Sequence, residues 1–113
     1  MNAKKRQAYI DSIEFKFSAL PEDIGPEDEL EGEALKWVTD EIDNGNEAAW
    51  FCAKVTGYLT IGDLMLIAED HLSGCSYRSF QQFKEDAYYY DMQRCVREEL
   101  TAKLDVLIEK LCA

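Results

Sequence analysis

Apolar positions at alternating steps of three and four open the chain. Ile10, Ile13, Phe17 and Leu20 form one stripe, which predicts a helix over 4–19 that stops before Pro21. A second helix is predicted from Pro26, a favoured first helical residue, with Leu30, Ala34, Trp37, Val38 and Ile42 as its apolar face. The run "NGN" at 44–46 closes it with residues that tolerate left-handed backbone. The period then changes to two. In "AWFCAKVTGYL", Phe51, Ala53, Val55 and Leu59 alternate with Trp50, Cys52, Lys54, Thr56 and Tyr58. With "TIGD" at 60–63 as a turn and "LMLIAEDHL" returning, this predicts a β-hairpin over about 49–72. The rival reading makes "TIGDLMLIAEDHL" a helix capped by Thr60, and the whole chain an all-α bundle.

After a turn at "SGCS", Ser79 is placed to cap a short helix through Phe83. The last pattern is the longest. Tyr89, Met92, Val96, Leu100, Leu104, Leu107 and Leu111 lie along one face from about 86 to 112. A helix of that length spans roughly 39 Å. The expected architecture is therefore α+β: two N-terminal helices, a hairpin and a long C-terminal helix. The expected core holds Ile13, Phe17, Val38, Phe51, Val55, Ile67, Met92, Val96, Leu100, Leu104 and Leu107.

At 113 residues the chain fits a single domain, and at 47% hydrophobic it can build a core. No apolar run approaches the length of a membrane span, and "MNAKKRQAYIDSIEF" has no apolar segment of the kind a signal peptide carries. The expectation is a cytoplasmic protein whose cysteines, Cys52, Cys75, Cys95 and Cys112, are reduced thiols.

Charge changes the picture most. Between Glu22 and Glu47 there are eleven acids and one base, Lys36, so this stretch carries −10 of the chain's net −11. The acids near the start of the second helix suit its dipole, but their number exceeds what capping requires. The balance argues against direct binding of nucleic acid or anionic membrane. It points to a protein partner with a basic surface. The candidate contact residues are Glu22, Asp23, Glu27, Asp28, Glu29, Glu31, Glu33, Asp40, Glu41 and Asp43. Tyr88 and Tyr90 join them from the "YYY" cluster, because exposed tyrosines are enriched in interfaces. The expected molecule is a monomer or homodimer.

Catalytic and metal-binding patterns are weak. His71 and Cys75 are four apart, but no second close pair completes a zinc pattern, and no third group completes a Cys–His nucleophile. "DNGNE" at 43–47 lacks the spacing of a calcium loop, and no P-loop, GxGxxG or nucleophile elbow occurs. The expectation is a protein without catalytic residues, metal or cofactor.

Residues 70–92, "DHLSGCSYRSFQQFKEDAYYYDM", resemble a pattern in small uncharacterised proteins of phages and other mobile elements. The resemblance is carried by Asp70, Leu72, Gly74, Cys75, Ser76, Tyr77, Phe83, Tyr89, Tyr90, Asp91 and Met92. It implies a mobile-element origin and an α+β fold, and it carries no activity. A compact acidic surface imitates the phosphate row of a nucleic acid. Taken with that origin, it suggests an inhibitor of a bacterial nucleic-acid-handling defence system, of restriction or CRISPR type. The alternative is a regulatory or scaffold module that binds through its aromatic residues, with the acids serving solubility.

Overall fold

The computed structural model describes residues 1–112, without the side chain of Cys112. The reduced-thiol expectation for Cys112 lies outside the described residues. The fold is α+β. In chain order it comprises α1 (Ala3–Asp11), β1 (Glu14–Leu20), α2 (Gly32–Asp43), β2 (Phe51–Ile61), β3 (Leu64–Cys75), α3 (Phe80–Lys84) and α4 (Ala87–Cys112), with 3-10 turns at Pro26–Asp28 and Glu47–Ala49. The strands form one antiparallel sheet in the order β1-β2-β3.

The hairpin expectation holds for β2 and β3. Gly62 supplies the positive φ of 58° that a two-residue loop needs at its first position, and Asp63 follows. A loop of this length sets Leu59 opposite Leu66 and Gly57 opposite Ala68. Phe51, Ala53, Val55, Gly57 and Leu59 are buried, as their alternation predicts. On β3 the inward residues are Leu66 and Ala68, so Ile67, expected in the core, is instead 47% exposed beside exposed Leu64 and Met65.

Two further differences have local causes. The residues expected to extend the first helix to 19 form β1 instead. "EFKFSAL" alternates as well as carrying the helical stripe, and Phe15 and Phe17 face inward while Glu14 and Lys16 are exposed. Chain reversal comes earlier, where α1 gives way at Ser12, whose backbone N–H donates to the carbonyls of Ala8 and Tyr9. The second helix starts at Gly32 rather than Pro26. Gly32 has φ +66°, a left-handed conformation that does not continue a helix through it, so Pro26–Asp28 is a separate turn. Its end is as expected: Asn46 N–H donates to Glu41 O and Gly45 N–H to Ile42 O, the paired bonds of a Schellman cap.

The residues group into two compact units. The first comprises Met1–Lys16, Val55–Asp70 and the chain from Asp91 onward. Its core is Ile10, Ile13, Val55, Leu59, Ala68, Met92, Val96, Leu100 and Leu104. Leu107 is half-buried, at the edge of this core. The Arg6 guanidinium donates to both carboxylate oxygens of Asp105, at 2.7 and 3.0 Å, tying α1 to α4. The second unit comprises Phe17–Lys54 and His71–Tyr90. Buried Phe51 and Phe83 meet half-buried Phe17, Tyr77, Phe80 and Tyr89 in a continuous aromatic cluster, with ring centroids 5.1–6.4 Å apart. Ser79 caps α3 by accepting the Gln82 N–H at 3.1 Å. No helix is long and apolar enough to cross a membrane among the described residues.

An acidic loop and helix beside three clefts

The candidate acids all lie in the second unit, on the loop between β1 and α2 and on α2 itself. The loop is held in shape by two long-range bonds. Glu22 Oε2 accepts the backbone N–H of Gly74 at 2.6 Å, and Oε1 accepts that of Ile24 at 3.3 Å. The Trp50 indole Nε1–H donates to Ile24 O at 2.8 Å. Glu22 is therefore half-buried and engaged within the chain, and serves as a latch.

Asp23, Glu27, Asp28, Glu29, Glu31, Glu33, Asp40 and Asp43 are exposed, and Glu41 is half-buried. Glu33, Asp40 and Asp43 are seven and three residues apart on α2, a spacing that puts them on one side of the helix. Buried Val38 and half-buried Leu35 occupy the opposite side. Asp40 receives the Lys36 ammonium at 2.8 Å. Among the described residues, no basic side chain pairs with Asp23, Glu27, Asp28, Glu29, Glu31, Glu33, Glu41 or Asp43.

Of the three tyrosines, Tyr89 turns inward against Phe17 and Phe83, while Tyr88 and Tyr90 are 59% and 61% exposed. Tyr88 lines a cleft with Leu72, Ser73, Gly74, Cys75, Ser76 and Tyr77. Ser73 and Gly74 also line a cleft of about 340 Å³, together with Ile24, Glu29, Leu30 and Trp50. The cleft at Tyr88 and the cleft at the acidic loop thus share Ser73 and Gly74. Tyr90 lines neither cleft.

A third cleft, of about 460 Å³, lies under the end of α2. Its walls are the end of β1 with Pro21, Ile42 of α2, the Gly45–Glu47 turn, Trp50, Phe51 and Phe80. Sequence patterns assigned Ile42 to a buried helix face. It is instead 43% exposed at this opening. The cleft had no local signature. Its only hint was Trp50, whose indole N–H demands a partner when covered.

His71 and Cys75 form no reactive pair. His71 is exposed, Cys75 is buried, and the thiol donates to Leu72 O at 3.3 Å. Burial pushes the Cys75 pKa up to about 11, away from the thiolate that a nucleophile requires. Cys52 and Cys95 are free thiols. Tyr77 donates to Asp86 at 2.7 Å; burial first, and that bond second, raise its pKa, so it stays a neutral donor that ties the segment after β3 to the residue before α4. β3 itself runs through the expected turn at 73–76 as far as Cys75. No group of three or more His, Cys, Asp or Glu side chains placed to hold a metal ion occurs among the described residues. No protein-family model, curated protein or solved structure matches the chain.

Proposed function

We propose that this chain is a small, non-enzymatic interaction protein whose acidic loop and α2 enter a basic nucleic-acid channel of a partner protein. The observation that carries this reading is the row of exposed acids without basic partners, on a loop pinned by the Glu22–Gly74 and Trp50–Ile24 bonds. A fixed shape matters because a mobile acidic tail would lose ordering entropy on docking, and a pinned loop has already lost much of it. Lys and Arg groups that neutralise phosphates would meet carboxylates instead, and the attraction would speed encounter.

The resemblance of residues 70–92 to mobile-element proteins supports a partner in a bacterial cytoplasm, a restriction or CRISPR-type defence component. The chain acts as a monomer or homodimer and needs no cofactor. A second reading, a scaffold module docking through aromatic side chains, is favoured by the exposure of Tyr88 and Tyr90.

Salt separates the two. Raising salt from 50 to 200 mM is expected to weaken a charge-led complex at least tenfold, measured by calorimetry or biolayer interferometry with the purified partner. An affinity that stays within twofold across that range would replace the acidic reading with the aromatic one.

A further inference from the structure

We infer that the cleft under the end of α2 is a socket for one large aliphatic or aromatic side chain of the partner, carried on a segment with Lys or Arg beside it. The inference rests on the acidic reading and adds to it an apolar anchor. The lining is predominantly apolar, from Ala19, Leu20, Pro21, Ile42, Phe51, Phe80 and Trp50, with Gly45, Asn46 and Glu47 as its polar edge. Its polar groups are nearly all engaged elsewhere. The Trp50 N–H is given to Ile24 O. The Asn46 side chain donates to Arg78 O at 3.2 Å and accepts the Ala48 N–H at 3.1 Å. Of the lining side chains among the described residues, the Glu47 carboxylate is the one left to receive a ligand group.

A small polar metabolite needs several convergent polar groups to fix its orientation, and this lining does not supply them. An apolar side chain needs none. The charge around the opening selects its neighbours. Glu41 and Asp43 flank Ile42 in sequence, and Glu47 lines the wall with no Lys or Arg. Arg78 lines the adjoining cleft that shares Gly45, Asn46, Glu47 and Phe80, so the acids outnumber the base three to one. A segment with acids beside its anchor would be repelled, and one with bases would be drawn in. Buried apolar anchors dominate the affinity of many interfaces, while rim charges set the rate of encounter. The cleft and the acids therefore have separable roles.

Three peptides test this by titration into the ¹⁵N-labelled protein at low salt: Arg-Arg-Leu-Arg-Arg, Arg-Arg-Gly-Arg-Arg and Gly-Gly-Leu-Gly-Gly, all with blocked ends. The first is expected to bind at least tenfold tighter than either of the others. It should shift the backbone amides of Ile42, Gly45, Asn46 and Glu47 and the Trp50 indole N–H. Ile42→Ser, at an exposed position, should abolish the preference for Leu over Gly while keeping the circular dichroism spectrum. Neutralising Glu27, Asp28, Glu31, Asp40, Glu41 and Asp43 should weaken both arginine peptides and preserve that preference. If the preference persists while this neutral variant binds both peptides as tightly as the wild type, the cleft stands and the acidic reading falls. Equal binding of the Leu and Gly arginine peptides, absence of binding by all three, or equal binding of the uncharged Leu peptide overturns the inference. So do shifts of the same amides on concentrating the protein alone, which would give the cleft to a second copy.

Discussion

Replacing Glu27, Asp28, Glu31, Asp40, Glu41 and Asp43 together by their amides is expected to leave the fold intact and to weaken partner binding about a hundredfold. Five of these side chains are exposed and Glu41 is half-buried, so each change should cost no more than about 0.5 kcal/mol of stability. The one ion pair lost, Lys36–Asp40, is a solvent-exposed pair on a helix surface and contributes little to the fold. Relief of repulsion along the loop and α2 offsets part of that cost. Binding responds differently, because all six changes fall on one surface. At roughly 0.5 kcal/mol for each rim contact, the total is about 3 kcal/mol, or about two orders of magnitude in Kd. Lys at the same positions should do worse than the amides, since like charges would then face each other. Glu22 is excluded because it latches the loop to Gly74. Thermal unfolding and calorimetry on the same samples separate the two effects. A neutral variant that melts well below the wild type would show that these acids hold the fold.

Leu100→Ala is expected to destabilise the protein by about 2–5 kcal/mol, because the side chain is fully buried and the cavity left behind collapses only in part. For a chain of this size the melting temperature should fall by about 10 °C or more. Gly57→Ala should also destabilise, by about 1–3 kcal/mol. Gly57 lies on the buried face of β2, and a methyl group there would run into Val96 Cγ1 and Leu100 Cδ1 of α4. The double variant should cost less than the two single costs added, since the new methyl enters space that Leu100 vacates. Additive costs would show that this strand and helix do not pack there. A loss under about 0.5 kcal/mol for Leu100→Ala would show that the helix face is misassigned.

The longest periodic patterns were legible without coordinates. The α4 stripe as far as Leu107, the alternation of β2 and the Ser79 cap each follow from residues close in sequence, while Leu111, expected on the same stripe, is 74% exposed. Residues 14–20 were not, because Phe15 and Phe17 satisfy a strand while Ile13, Phe17 and Leu20 satisfy a helix, and pairing with β2 decides. Ile67 was misplaced for a related reason. "LMLIA" is apolar at odd and even positions alike, so only the two-residue loop at Gly62 and Asp63 determines which set faces inward. The acidic charge and the outward Tyr88 and Tyr90 were readable. The latch from Glu22 to Gly74 was not, since it joins residues 52 apart and leaves no local mark. The cleft at Ile42 was hidden likewise, because its walls come from five separate segments of the chain.

The claim that the acidic segment occupies a nucleic-acid channel is tested most directly by displacement. The wild-type protein and the six-fold amide variant are immobilised, exposed to the same bacterial lysate, and washed with short duplex DNA or single-stranded RNA. The wild type is predicted to retain a nucleic-acid-handling protein that the nucleic acid releases and that the amide variant fails to retain. The account is contradicted if both baits hold the same protein equally and nucleic acid releases it from neither.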